Sequence, residues 1–341
     1  MDIVTIQIIT DYISHYTPYI ILVLGNIGCI CNFLTFTVKQ LRQNSCGWYF
    51  LMSALSDFIF INFGLFTKIS SEQYGSTLQN TSLAWCKIRT YFTWVLPCFA
   101  TGYLVLASLD RCLSTSTNAR LRSFSHIKIA HRMTCIPIIL YSLTTSHQFI
   151  YFVLQPECTP LPGTYSYFLS MYSIIWTSLI PQSAILIFGF VTYLNIRKSH
   201  QRLIQSSKHS IHQQQQRNRT DIQMIKITLV QVICSSILLN IRTAYYSYIV
   251  LSTNITKDNY RYEVESLLLQ ISSYIFYFNF CKSFFINTLT SKLFRRILKE
   301  RLFIIWRRIT WWKVRVAPNF AKQMNQTKLG TINKVQQNIK L

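Results

Sequence analysis

IRTYFTWVLPCFATGYLVLASL, residues 88–109, runs directly into Asp110-Arg111-Cys112, and this passage from apolar to charged residues decides how the chain is read. The run is close to the ~20 residues that cross ~30 Å of hydrocarbon at 1.5 Å per residue. Six similar runs surround it: Tyr19–Val38, Trp48–Phe66, Met133–Leu154, Tyr167–Ile196, Ile225–Leu251 and Ser266–Asn287. Lipid offers no partner to a backbone N–H or C=O, so such a segment satisfies them internally as a helix. The fold class expected is all-α, a seven-transmembrane helix bundle. A soluble helical protein would build its core from shorter, amphipathic helices.

Half of the residues are hydrophobic and 13% are charged, yet the net charge is +23. A basic chain can be a nucleic-acid binder, and the position of its 34 Lys and Arg decides. Lys68, Lys87, Arg89, Lys257 and Arg261 fall on one face of the predicted bundle, and Arg242 and Lys282 lie within spans. All the others fall on the opposite face, in the first, third and fifth connections, just inside the sixth run at Lys226, and after the seventh run. The positive-inside rule makes that face cytoplasmic. The charge therefore reports topology and attraction to an anionic leaflet, not nucleic acid. This reading gives a short extracellular N-terminus (1–17), a seven-span domain (18–290) and a cytoplasmic segment (291–341). Residues 1–17 hold no Lys or Arg and show no cleavage pattern, so the first span is expected to act as an uncleaved signal anchor.

Cysteine positions bear on the same topology, because only the outer compartment is oxidising. Cys29, Cys31, Cys98, Cys135, Cys234 and Cys281 fall in spans, and Cys46 and Cys112 on the inner face. Cys86 and Cys158 remain outside, where a bond between them would tether the loop before the fifth span over the bundle mouth. The sequons at Asn80 and Asn254 also fall outside and are glycosylation candidates, whereas those at Asn218 and Asn325 fall inside.

With these features the chain resembles the rhodopsin-like (class A) family of G-protein-coupled receptors over residues 19–305. In that family a cysteine at the outer end of the third helix precedes the arginine of an Asp-Arg-Tyr triplet by 25 residues, as Cys86 precedes Arg111. Asn32, Asp57 within Leu51-Met52-Ser53-Ala54-Leu55-Ser56-Asp57, Pro181, and Thr290-Ser291-Lys292-Leu293-Phe294-Arg295-Arg296 match further family positions. The resemblance implies that Asp110, Arg111 and Cys112 carry G-protein coupling, with Arg111 paired to Asp110 at rest; Cys112 replaces the usual Tyr. It also implies a sodium pocket at Asp57, but Ala100 and Ser283 depart from the usual ligands. Lys282 is the candidate to take the cation's place in a core network with Asn32, Asp57 and Asn279. Ser283-Phe284-Phe285-Ile286-Asn287 stands where the family has Asn-Pro-x-x-Tyr, and Arg242 stands at an aligned proline. Two hinge prolines are thus missing, and such helices kink less readily.

Thr93 and Tyr277 occupy the positions of the amine-binding Asp and the retinal-bearing Lys, which argues against amine and retinal ligands. The expected outer cavity is lined by Thr93, Trp94, Tyr245, Tyr246, Ser273 and Tyr277, with Glu157, Glu263 and Glu265 at its rim. Aromatic walls with an acidic rim suit a basic or amidated peptide. Ser207–Thr220, with its Gln213–Gln216 run, reads as a disordered loop. Residues 291–308 read as an amphipathic helix on the inner leaflet, with no later cysteine to palmitoylate.

No catalytic constellation, cofactor motif or metal-ligand cluster is read, and an enzyme is not expected. The expected function is a multi-pass plasma-membrane receptor with its N-terminus outside. It would bind an extracellular ligand, a peptide such as a neuropeptide, and activate a heterotrimeric G protein from within the lipid bilayer. A seven-span transporter or channel and a non-signalling decoy receptor are the alternatives.

Overall fold

A computed structural model describes residues 2–154, 157–204, 211–252, 255–308 and 310. The chain divides into two compact units, Met1–Phe294 and Arg295–Leu341. The first is a bundle of long helices: α1 (Ile3–Phe36), α3 (Ser45–Glu72), α5 (Leu83–Thr115), α11 (Ile180–Ile204), α12 (Ile211–Leu251) and α13 (Asn259–Thr290). Short helices connect them: α2 (Lys39–Arg42), α4 (Leu78–Thr81), α6 (Ala119–Arg122), α7 (Ile127–Met133), α8 (Cys135–Thr145), α9 (Gln148–Tyr151) and α10 (Thr164–Met171). Between α10 and α11 the helix widens to a π segment at Tyr172–Leu179, just before Pro181, whose ring leaves the preceding turn without an N–H donor.

Five helical segments are long and apolar enough to cross a membrane: Ile3–Phe36, Ser45–Glu72, Leu83–Thr115, Thr164–Lys198 and Lys226–Ile249. That is the make-up of a multi-pass membrane protein. The fourth and seventh apolar runs are outside this set. The fourth is divided among α7, α8 and α9, with Thr134 between the first two, and its last residues, 152–154, are extended. The seventh lies in α13, where Gln270, Ser272, Ser273, Asn279 and Lys282 dilute the apolar residues.

α5 is the central helix. Ser82 caps its start by accepting a hydrogen bond from Trp85 N at 3.4 Å, which sets Cys86 one turn into the helix. Its sides pack on α3, α8 and α11, while α1 packs along α13 and α3. The α1–α13 approach depends on small residues: a Cβ on Gly25 would stand 2.8 Å from Cys281 Sγ, and one on Gly28 3.2 Å from Phe284 Cβ. Ile61, Leu65, Val95, Leu96, Phe60, Tyr277 and Phe280 form the apolar core between these helices.

The disulfide Cys86–Cys158 joins the start of α5 to a small antiparallel hairpin, β1 (Phe152–Leu154) and β2 (Cys158–Pro160), in which Leu154 pairs with Cys158. The hairpin is the one departure from an all-α fold among the described residues.

The N-terminal residues are helical from Ile3, and Gln7 Nε2 donates to Glu263 Oε1 at 2.8 Å. The segment 207–220 is helical from Ile211 onward rather than a disordered loop; glutamine is a good helix former. Residues 207–210 lie outside the described residues, as do Asn254 and the tail from 311. In the second unit residues 295–308 are helical, with an exposed Arg296–Glu300 ion pair at 3.0 Å.

Candidate functional site

Three polar regions occupy the bundle, and they bury charge in different ways. At the end opposite the disulfide, Arg111 donates from Nη2 (2.6 Å) and Nε (3.2 Å) to Asp110 Oδ2, and from Nη2 to Asn44 Oδ1 at 3.1 Å. Ser125 Oγ donates to the other oxygen of Asp110 at 2.7 Å. Both charged residues are buried, and Asn44 also caps α3 by accepting from Cys46 N at 3.0 Å. Cys112 is a half-buried free thiol beside them.

In mid-bundle a small cavity of about 30 Å³ is lined by Asp57, Ser235, Asn279, Lys282 and Ser283, among others. That is room for a water molecule. Lys282 Nζ donates to Ser235 Oγ (2.7 Å), Asn279 O (2.7 Å) and Asn279 Oδ1 (2.5 Å), which uses all three of its protons. Asn32 belongs to a neighbouring set: Asn287 Nδ2 donates to Asn32 Oδ1 at 3.1 Å, and Gln231 Nε2 to Asn287 Oδ1 at 2.9 Å and Ser283 Oγ at 3.2 Å. The single network expected from Asn32, Asp57, Asn279 and Lys282 is therefore two clusters meeting at Ser283. Gln231 and Ser235 arrive from α12, and Asn287 lies one turn beyond Ser283 on α13.

Toward the disulfide end lies a cavity of about 270 Å³ between α3, α5, the π segment, α12 and α13. Thr93, Trp94, Tyr246, Ser273 and Tyr277 line it together. Trp94 meets Tyr246 edge-on at 5.6 Å between ring centres, and Tyr277 stacks on Phe60 at 5.2 Å. Tyr245 is elsewhere: its hydroxyl donates to Glu265 O at 2.8 Å. Adjacent residues point about 100° apart around a helix, and on α12 that turn carries Tyr245 away from the cavity that Tyr246 lines.

The expected acidic rim is not at this cavity. Glu157 is exposed at the hairpin turn. Glu265 is bound by Lys257 Nζ (2.5 Å), Arg261 Nε (2.9 Å) and the Tyr248 hydroxyl (2.8 Å). Burial alone would raise its pKa, but these three hydrogen bonds and the charge of Lys257 bring it down to about 2. The charged residues that do line the cavity are Lys68, Arg89 and Arg242, with no Asp or Glu among the described lining. Their signal in the sequence is that each is a cation in or at the edge of an apolar span. Asn80, on α4, accepts from Cys158 N at 3.4 Å and is exposed beside the disulfide.

No protein-family model matches the chain, and no curated protein matches it. No group of three or more His, Cys, Asp or Glu suited to a metal ion occurs among the described residues.

Proposed function

We propose that the chain is a seven-span receptor that binds an extracellular ligand in the disulfide-end cavity and activates a heterotrimeric G protein at the Arg111 end. The observation that carries this reading is the buried Asp110–Arg111 pair at the end of the same helix, α5, whose other end carries the disulfide and lines the cavity. A guanidinium held by a carboxylate and an amide among its partners at a helix end is a latch. When the helices part, it can exchange those partners for backbone carbonyls of another protein. A ligand that packs differently against α5, α12 and α13 in two arrangements of the bundle would shift the balance between them. In this reading the fourth and seventh runs also cross the membrane, the Arg111 end is cytoplasmic, and the membrane is the plasma membrane. The peptide expectation loses its support, because it rested on a rim of carboxylates that the cavity does not have.

The test is Arg111→Ala. Nucleotide exchange on co-reconstituted G proteins should disappear, with helix content and surface expression unchanged. Undiminished exchange would refute coupling through Arg111 and favour the decoy.

A second reading, a transporter, is favoured by the five ionisable residues Asp57, Lys68, Arg89, Arg242 and Lys282 within the apolar helices and by the breaks in the fourth run. Flux of radiolabelled anions into proteoliposomes, absent with empty liposomes, would establish it.

A further inference from the structure

The disulfide-end cavity carries more positive charge than its own chain neutralises. Lys68 is accounted for: it pairs with Glu72 and donates to Gln270 Oε1 at 2.8 Å. Glu72 is itself occupied, accepting from Gln270 Nε2 at 3.1 Å and from the Tyr274 hydroxyl at 3.5 Å. Arg89 and Arg242 make no ion pair among the described residues. Arg89 Nε is buried with no protein partner. Arg242 has one hydrogen bond, from Nη1 to Ser272 Oγ at 3.2 Å, and its guanidinium lies 5.3 Å from the centre of the Tyr246 ring. A guanidinium carries five donors in a fixed fork, so most of this capacity is unused by the protein.

A lysine in such a place could shed its proton. Arginine cannot, so the charge of both residues persists however dry the cavity becomes. Keeping two such cations in one cavity with no acid in its described lining is costly to the fold unless a ligand supplies the negative charge. Arg242 has a further consequence, because it stands where the resembled family has a hinge proline. The sixth helix runs unbroken through it and presents a cation to the cavity instead.

We infer that this cavity binds a small organic dianion, a phosphate monoester or a dicarboxylate carried on an apolar body. Arg89 and Arg242 take the anion, and Trp94, Tyr246 and Tyr277 take the body. The forked geometry of guanidinium suits planar carboxylates and phosphates. The volume, about 270 Å³, lies just under the usual ~300–1,000 Å³ of small-molecule sites, which fits a compact molecule or the head of a single-chain lipid and not a folded peptide. The inference takes from the receptor reading only that a ligand enters here, and it is tested without a G protein.

The full chain in phosphatidylcholine nanodiscs is titrated with phenyl phosphate, phthalate, lysophosphatidate and, as the cationic control, benzylammonium. Binding is read by calorimetry and by thermal melting. The dianions should bind and raise the melting temperature, and benzylammonium should not. R89Q and R242Q should each weaken dianion binding by about 10- to 100-fold, the cost of a lost charged hydrogen bond, and R242K should retain most of it. R242K keeps the charge and R242Q removes it, so a folding defect in either is exposed by the other. Binding of lysophosphatidate alone assigns the anion to a lipid head; binding of phenyl phosphate as well assigns it to a soluble ligand. Equal binding of dianions and benzylammonium, or wild-type affinity in both glutamine variants, overturns the inference. Dianion binding with no nucleotide exchange on any G protein would sink the receptor reading and leave this one standing. Exchange driven by a cationic ligand and indifferent to R242Q would do the reverse.

Discussion

The two ends of α5 hold arginine in opposite ways. At one end Arg111 lies against Asp110 and Asn44, and Ser125 completes the carboxylate. At the other, Arg89 faces a cavity with its Nε unpartnered, across from Arg242 and with no acid in the described lining. The same side chain thus serves as a closed latch where the chain supplies the counter-charge and as an open receptor where it does not. A buried charge satisfied by its own fold stabilises one arrangement; one left unsatisfied reports what the molecule is built to meet.

This contrast predicts stability changes of opposite sign. Asp110→Ala leaves the Arg111 guanidinium buried with Asn44 among its remaining partners, and breaking a buried pair in this way costs about 3 kcal/mol or more. Arg242→Gln removes a cation that has no counter-charge, so the ligand-free chain should gain about 1 kcal/mol. Melting of both variants in the same nanodiscs checks the pair of signs. Destabilisation by Arg242→Gln would mean that its bond to Ser272 and its contact with Tyr246 outweigh the cost of the charge, and the comparison would fail.

A smaller effect should come from Glu265, which shows what full compensation looks like. Its carboxylate, held by Lys257, Tyr248 and Arg261, has a pKa lowered from 4.5 to about 2. A carboxylate depressed by folding contributes stability that is fully present above its unfolded value and is lost as pH falls through the folded one. The contribution should therefore hold from neutrality to about pH 4.5 and fade toward about pH 2. Comparing melting temperatures of the wild type and Glu265→Gln across this interval checks it: the gap should narrow as pH falls. The arginine-lined cavity adds no such slope, because guanidinium does not titrate there.

Much of the architecture was legible because it depends on local signals. Most apolar runs of membrane length are helices, and the two cysteines expected on the outer face had only each other as partners. Five of the proposed cavity residues line one cavity, contributed by α5, α12 and α13 at positions that the family resemblance marks. What the sequence hid was either relational or beyond the apolar pattern. Lys68 and Arg89, read as markers of sidedness at span ends, lie in the bundle because α3 continues to Glu72 and α5 begins at Leu83. The helical start at Ile211 is hidden because the polar residues that follow it carry no hydrophobic period, although they do not oppose a helix. Gln231 and Asn287 meet through side chains far apart in sequence, which single-chain periodicity cannot register.

The mid-bundle cavity offers the finest test of the comparison, since there the acid and the cation both come from the chain. Asp57 and Lys282 line the same space of about 30 Å³, and Lys282 is fixed by Ser235 and Asn279. A sodium ion entering beside Asp57 would meet the ammonium's repulsion at short range and in a low-dielectric setting, where it is strong. It would also find Ala100, which has no oxygen on its side chain, in the lining. The melting temperature should then be unchanged when sodium is replaced by N-methylglucamine at constant ionic strength; matching ionic strength removes the screening of exposed charges as a cause. Lys282→Ala should create a sodium response, because Asp57 would be left as a buried carboxylate lacking its cation. Adding Asp57→Asn should abolish it again. A sodium response already present in the wild type and lost in Asp57→Asn alone would mean that the cavity takes its cation from solution, and that Lys282 serves only to brace α13 against α12.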